Sequence, residues 1–227
     1  MGENITRGDS GKAFAIWQGW GVEKEMKRNE RKNLGIKIWF FVLIAFLVVL
    51  CFSGTANAKN CGGAITCDCG DTVTSDYTLE ADLDCAGLGL IVGADGIHID
   101  GNGHAITGTG GEFSRGIDNN KGKDYVTISN LTIVGFETGI YLYGAANHNN
   151  IRDNSIVANR FGIALTDSND NEITYNYIYN NDDGIRVSGG SSNTIRRNTI
   201  DINTHYGIHL GHSASTSGNT VSSNAVC

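Results

Sequence analysis

The sequence predicts an all-β solenoid, a chain wound into coils of about 22–23 residues with three short strands in each. Three observations predict it. The stretch from Asn150 to Leu210 says nearly the same thing three times: NIRDNSIVANRFGIAL, NEITYNYIYNNDDGIRV and NTIRRNTIDINTHYGIHL share the frame I-x-x-N-x-I, followed by Gly-Ile-x-aliphatic. The period is fixed, with Ile151, Ile173 and Ile195 at steps of 22 and Gly139, Gly162, Gly184 and Gly207 at steps of 23, 22 and 23. The repeats also lack helix-forming composition, and the 227 residues contain no proline.

One coil can be read from its residue types. Gly-Ile-x-Leu/Val alternates apolar with variable residues, the period-2 pattern of a strand with one buried face. Asn154, Asn176 and Asn198 fall between two such strands, where a tight corner favours a residue that tolerates left-handed backbone angles and bonds the chain with its own amide. Stacked at a strand spacing of roughly 4.8 Å, these amides can also bond one another in a ladder. The glycine before the third strand allows a sharp bend without a Cβ clash. Leucine-rich repeats share a similar period and an asparagine, but they need a leucine-dense consensus and usually a helical return, and neither is present.

At the N-terminus, residues 1–34 are polar and charged, and IKIWFFVLIAFLVVLCF runs from Ile36 to Phe52, ahead of Ala56-Asn57-Ala58. A basic region, an apolar core and an A-x-A site make a secretory signal peptide with cleavage after Ala58. The lead-in is long for such a signal, and MKRNERKNLGIK from Met26 has the ordinary length. The expected organisation is therefore an upstream extension over 1–25, a signal peptide over 26–58, a cysteine-rich cap over 59–90 and repeats over 91–227. The alternative is an uncleaved hydrophobic anchor helix, since these 17 residues, apolar apart from Lys37, lie at the short end of a membrane span.

Residues 59–227 hold 9 Lys+Arg and 19 Asp+Glu, a formal charge of −10. That balance excludes a nucleic-acid binder and argues against a polyanion held by broad electrostatics. Neutral glycans, cations or other proteins are the compatible partners. Four of the five cysteines left after cleavage cluster before the repeats, in NCGGAITCDCGDTVTSDYTLEADLDC, where an oxidising compartment makes two disulfides that staple the first coil. Zinc is the alternative, but C-x5-C-x-C-x15-C matches no usual C-x2-C pairing.

CGDTVTSDYTLEADLDC followed by GLIVGADGIHIDGNGHAITG resembles the opening of secreted right-handed parallel β-helix proteins of the NosD-like and pectin-lyase-like group. The likeness runs over about residues 69–226. It implies a single right-handed parallel β-helix and a disulfide between Cys69 and Cys85, and it leaves Cys61 and Cys67, which are extra here, to bond each other. It does not fix a function, because the group spans lyases, hydrolases, epimerases, surface proteins and a copper-maturation accessory protein.

Within that opening, Ile97, Ile99 and Ile106 are expected to face inward, with Gly101-Asn102-Gly103 as a turn and Asp100 and His104 as corner and capping groups. Residues 107–116, TGTGGEFSRG, form the first longer loop, after which Tyr125, Val126, Ile128, Leu131 and Ile133 begin the regular coils. Between the last aliphatic of the third strand and the next coil's first Ile or Val, the step is 9 residues after Leu142, 8 after Leu165 and Val187, and 11 after Leu210. Loops that vary at one corner of a solenoid form its binding side.

The outward residues of the third strand are Tyr141, Ala164, Arg186 and His209, a column in which Tyr141, Arg186 and His209 are suited to grip a sugar chain. Asp182 and Asp183 in one coil fall under His205 and Tyr206 in the next, and carboxylates beside an imidazole are the parts for acid and base attack on a glycosidic bond. The pair loosely resembles the Asp-Asp and Gly-His-Gly segments of polygalacturonases, but Arg160-Phe161 replaces an expected Asp, Tyr206 interrupts Gly-His-Gly and no Arg-x-Lys follows. His205, His209 and His212 are spaced for a helix but sit on a strand, where they spread apart. Asp167 and Asp170 suggest calcium no more strongly, so the reading includes neither metal nor cofactor.

The expectation is an exported, cell-surface, extracellular or periplasmic binding module for carbohydrate or surface ligands, touching the membrane only through its N-terminal segment. A polysaccharide hydrolase or lyase and a copper accessory protein are the alternatives. The last residues, Asn219 to Cys227, start another coil without a polar cap, so a longer parent protein or a capping partner is expected and Cys227 is a free or intermolecular thiol.

Overall fold

The computed structural model describes residues 58–211 and 216–227. The expected extension and the signal segment up to residue 57 lie outside the described residues, as does His212. From Ala58 on, the chain is a right-handed parallel β-helix of about seven turns, and the described residues form strands and no helix. Each turn contributes one strand to each of three parallel sheets. Sheet A has eight strands, from Asn60–Cys61 to Tyr206–Leu210. Sheet B has seven, from Tyr77–Thr78 to Thr220–Ser222, and sheet C seven, from Leu83–Cys85 to Ala225–Val226.

The isoleucine period becomes a core because the register is one coil per step. Ile128, Ile151, Ile173 and Ile195 align in sheet B, Ile133, Ile156, Ile178 and Ile200 in sheet C, and Ile117, Ile140, Ile163 and Ile185 in sheet A. All twelve are fully buried. At about 1.5–3 kcal/mol for each buried aliphatic side chain, these columns are the main favourable contribution to folding. Ile97, Ile99 and Ile106 join them, as expected.

The corners hold three asparagine ladders. The expected one runs through Asn154, Asn176, Asn198 and Asn224; the others run through Asn149, Asn171, Asn193 and Asn219, and through Asn159, Asn181 and Asn203. The rung at Asn176 shows the design. The Asn154 backbone N–H donates to Asn176 Oδ1 at 3.1 Å, and Asn176 Nδ2 donates to the Ile151 carbonyl at 2.9 Å. Buried backbone groups that the sheets leave unpaired are thereby satisfied by side chains.

Two local expectations are corrected. The left-handed residue at the corner is the one before the asparagine: φ is +59° at Asp153, +57° at Tyr175 and +57° at Arg197. The asparagine itself turns inward as hydrogen-bonding filler. The repeated glycine lies inside the sheet A strand, as Gly139 does in Thr138–Tyr143, and it allows close approach rather than a bend. A Cβ on Gly139, Gly162 or Gly184 would lie 2.6, 2.4 or 2.5 Å from the carbonyl oxygen of the glycine one coil on.

The first coil is closed by Cys61–Cys67 and Cys69–Cys85, with Cα separations of 5.2 and 5.5 Å. These are ordinary disulfide spans, and they match both expected pairs. Buried Asp71 ties the cap together by accepting the N–H groups of Lys59 and Asp68. Cys227 is free and exposed.

Candidate functional site

Corner length positions the site. The corner from sheet A to sheet B absorbs the length differences read from the sequence, as in Tyr143 to Asn150 and Leu210 to Thr220. From Thr127 on, the B-to-C corner is constant at two residues, for example Asp153 and Asn154 between Arg152 and Ser155. Side chains that leave the core therefore stack in straight columns on the outer faces, and sheet A has the longest such face.

Its first column is Arg115, Thr138, Phe161, Asp183 and Tyr206, and its second is Asp118, Tyr141, Ala164, Arg186 and His209. Tyr143, Thr166 and Ser188 form a third. The columns touch through their rings and cations. The Arg115 guanidinium lies 4.1 Å from the Tyr141 ring centre, and Arg186 and Arg160 lie 5.1 and 5.0 Å from that of Phe161. Tyr141 stacks on Tyr143 at 5.8 Å and Tyr206 on His209 at 4.7 Å. Among the described residues, no carboxylate lies within ion-pair distance of Arg186, so its fork of donors is unclaimed. His209 Nδ1 is buried and has no hydrogen-bond partner.

The expected column of Tyr141, Arg186 and His209 is thus brought together. Of the acid–base candidates, Asp183 lies in the neighbouring column between Phe161 and Tyr206, Asp182 sits at the corner before it, and His205 is exposed in the next coil. The His205 N–H donates to the Asp182 carbonyl at 2.8 Å, which stacks the two backbones. Among the described residues, no side-chain hydrogen bond or ion pair joins Asp182, Asp183 and His205. Among the described residues, no group of three His, Cys, Asp and Glu side chains is placed to hold a metal ion. Asp100 and His104 act as corner groups: Asp100 accepts the Asn102 N–H, and His104 meets Asp82 at 3.0 Å. The N–H of Ala105, followed by His104, holds the Asp82 carboxyl below its usual range.

Sequence reasoning missed Arg115 and Asp118. Asp118 is 1% exposed, and its two oxygens accept from Arg115 at 2.9 Å and Asn120 at 3.0 Å. Burial pushes its carboxyl above the usual range, against the pull of Arg115 and Lys121. Arg115-Gly116-Ile117-Asp118 carries the same Gly-Ile-x frame as Gly139-Ile140-Tyr141 one coil later, and that frame was the available signal.

Beside this face, at the corner from sheet C to sheet A, lies an open cleft of about 400 Å³ lined by Glu112, Glu137, Arg160 and Asp182 among others. Its wall is the loop read in the sequence as the first longer one. In register, Thr107 matches Val134 and Arg115 matches Thr138, so the chain between them is four residues longer than in the next coil.

A three-sheet parallel solenoid with straight outer columns is a β-helix. The chain belongs to the family described as right handed beta helix region, whose model matches residues 90–227. No curated protein and no solved structure matches the chain.

Proposed function

We propose that this protein is an exported β-helix of the NosD-like and pectin-lyase-like group that binds carbohydrate at the cell surface or outside the cell, without chemistry of its own. The observation that carries the reading is the outer face of sheet A. Tyr141, Tyr143, Phe161 and Tyr206 set aromatic rings among the donors and acceptors of Arg186, Thr166, Ser188 and His209 on one continuous surface. Rings take up the apolar faces of sugars, and the polar groups between them take up hydroxyls. The two disulfides fit an oxidising compartment, and the signal peptide expected over residues 26–58 would supply the export route.

The second reading, a polysaccharide-cleaving enzyme, draws on Asp183 within the same face. Affinity electrophoresis in gels containing different polysaccharides, run alongside assays for reducing ends and unsaturated products, separates the two. Retardation without product is the expected result, with Tyr141→Ala binding at least about tenfold more weakly than wild type while folding normally. Product formation that disappears in Asp183→Ala would replace the binding reading with the enzymatic one.

A further inference from the structure

The four-residue insertion between Thr107 and Arg115 is the largest departure from a corner that spans three residues in the next three coils, as in Ala158–Arg160 between Val157 and Phe161, and four at Ile202–His205. It is pinned at both ends of its tip. Ser114 Oγ donates to the Gly111 carbonyl at 2.6 Å and accepts the Glu137 N–H at 2.9 Å, and Glu137 Oε2 accepts the Phe113 N–H at 2.5 Å. Glu137 is held in turn by Arg160, whose Nη1 donates to Oε1 at 3.0 Å. The residue displayed by this scaffold is Phe113, which is 74% exposed and held at φ +60°. Packing does not explain an aromatic ring there, because the ring leaves most of its area in water, and the backbone angle is unfavourable for it. Phe113 stands where the cleft wall, Gly110–Glu112, passes into Ser114 and Arg115, the start of the first outer column of sheet A.

The cleft has a definite charge character. Glu112, Glu137 and Asp182 face a single guanidinium, that of Arg160, which is already committed to Glu137. No cation in the cleft is left for an anionic group, whereas the carboxylate oxygens and the exposed amide of Asn180 suit hydroxyl partners.

Building on the carbohydrate reading, we infer that the binding face turns the corner at Phe113 and ends in this cleft, which takes the terminal residues of a neutral hexopyranose or pentopyranose glycan and rejects uronates. Phe113 stacks on a sugar ring, and Glu137 is a positioning residue that holds the loop.

The test uses the full chain with its disulfides intact and measures Kd calorimetrically for cellohexaose, xylohexaose, mannohexaose and hexagalacturonate. At least one neutral hexaose is expected to bind, and hexagalacturonate neither to bind nor to compete. Phe113→Ala and Phe113→Gly should weaken that binding about tenfold or more. Phe113→Tyr should restore it, and Phe113→Gly should melt no lower than wild type, because glycine relieves the left-handed strain. A merely structural phenylalanine would give the reverse, a lower melting temperature with unchanged Kd. If hexagalacturonate binds as well as the neutral sugars, or if Phe113→Ala binds like wild type, the cleft inference falls while carbohydrate binding by sheet A stands. If none of the four sugars binds, both readings fall.

Discussion

The corners of one coil at Val126, Leu131 and Phe136 and those of the next at Asn149, Asn154 and Asn159 occupy the same stacked positions, yet one set is apolar and the other amide. The N–H groups of Val126, Leu131 and Phe136 donate to Asn149, Asn154 and Asn159 at 2.8, 3.1 and 2.9 Å. Above that seam, each ladder asparagine accepts an N–H from the coil before, and Asn154, Asn176 and Asn198, for example, also donate to a backbone carbonyl. Between sheets B and C a corner locked this way keeps two residues throughout, and between sheets C and A it gains at most one, in Ile202–His205 with the Asn181–Asn203 rung intact. Below the seam, apolar side chains accept nothing from the preceding coil, and the chain is free to lengthen. Gly101–His104 and Thr109–Ser114 are two of the places where it does so between strands of sheets B, C and A. The cleft spans the seam, with a wall from the free side and a floor at Asn159 and Arg160 on the locked side. Rigidity and variability are thus supplied by adjacent coils, a sound arrangement for a binding site.

Breaking a ladder should have the largest effect. Asn176→Leu places in a locked corner the residue type tolerated at Leu131. It strands the Asn154 N–H and the Ile151 carbonyl, so a loss of about 3 kcal/mol is expected, read as a lower urea midpoint. A loss below about 1 kcal/mol would mean that the apolar and amide corners are interchangeable. Gly162→Ala is next. Its methyl would sit 2.4 Å from the Gly184 carbonyl oxygen, and spreading the coils to admit it should cost about 2 kcal/mol, measurable by the same denaturation. The smallest effect is a gain. Ile202 is 67% exposed, β-branched and held at φ +54° before Asn203, so Ile202→Asn should add about 0.5 kcal/mol. A neutral or negative result in thermal unfolding would show that the corner angle is not strained.

The parts of this fold that were legible in the sequence are those set by period alone. The Ile columns, the Gly-Ile strand and the outward column of Tyr141, Arg186 and His209 follow from a 22–23-residue repeat and strand alternation. The outer two ladders were written just as openly, as asparagines five residues apart in Asn149-Asn154-Asn159 and again from Asn171 and Asn193. The left-handed positions were not legible, because Tyr175 and Arg197 have no intrinsic preference for that region and adopt it only because the asparagine behind them is fixed by its neighbours. Nor was Asp118, whose burial and raised proton affinity depend on a local cluster with Arg115 and Asn120 that no periodicity encodes. The cleft lay between these cases: its inserted loop was visible as extra length, but its floor comes from coils about 23 and 46 residues further on.

The asparagine rungs have one more consequence. Each joins a position only to its own counterpart one turn away, as Asn154 to Asn176 to Asn198. A 22-residue segment copied in frame between two such turns would meet matching partners above and below without any other part of the molecule changing. The gene can therefore lengthen or shorten this protein by whole turns, each adding or removing about 4.8 Å of surface, and selection can tune the reach of the molecule by duplication and deletion as well as by substitution.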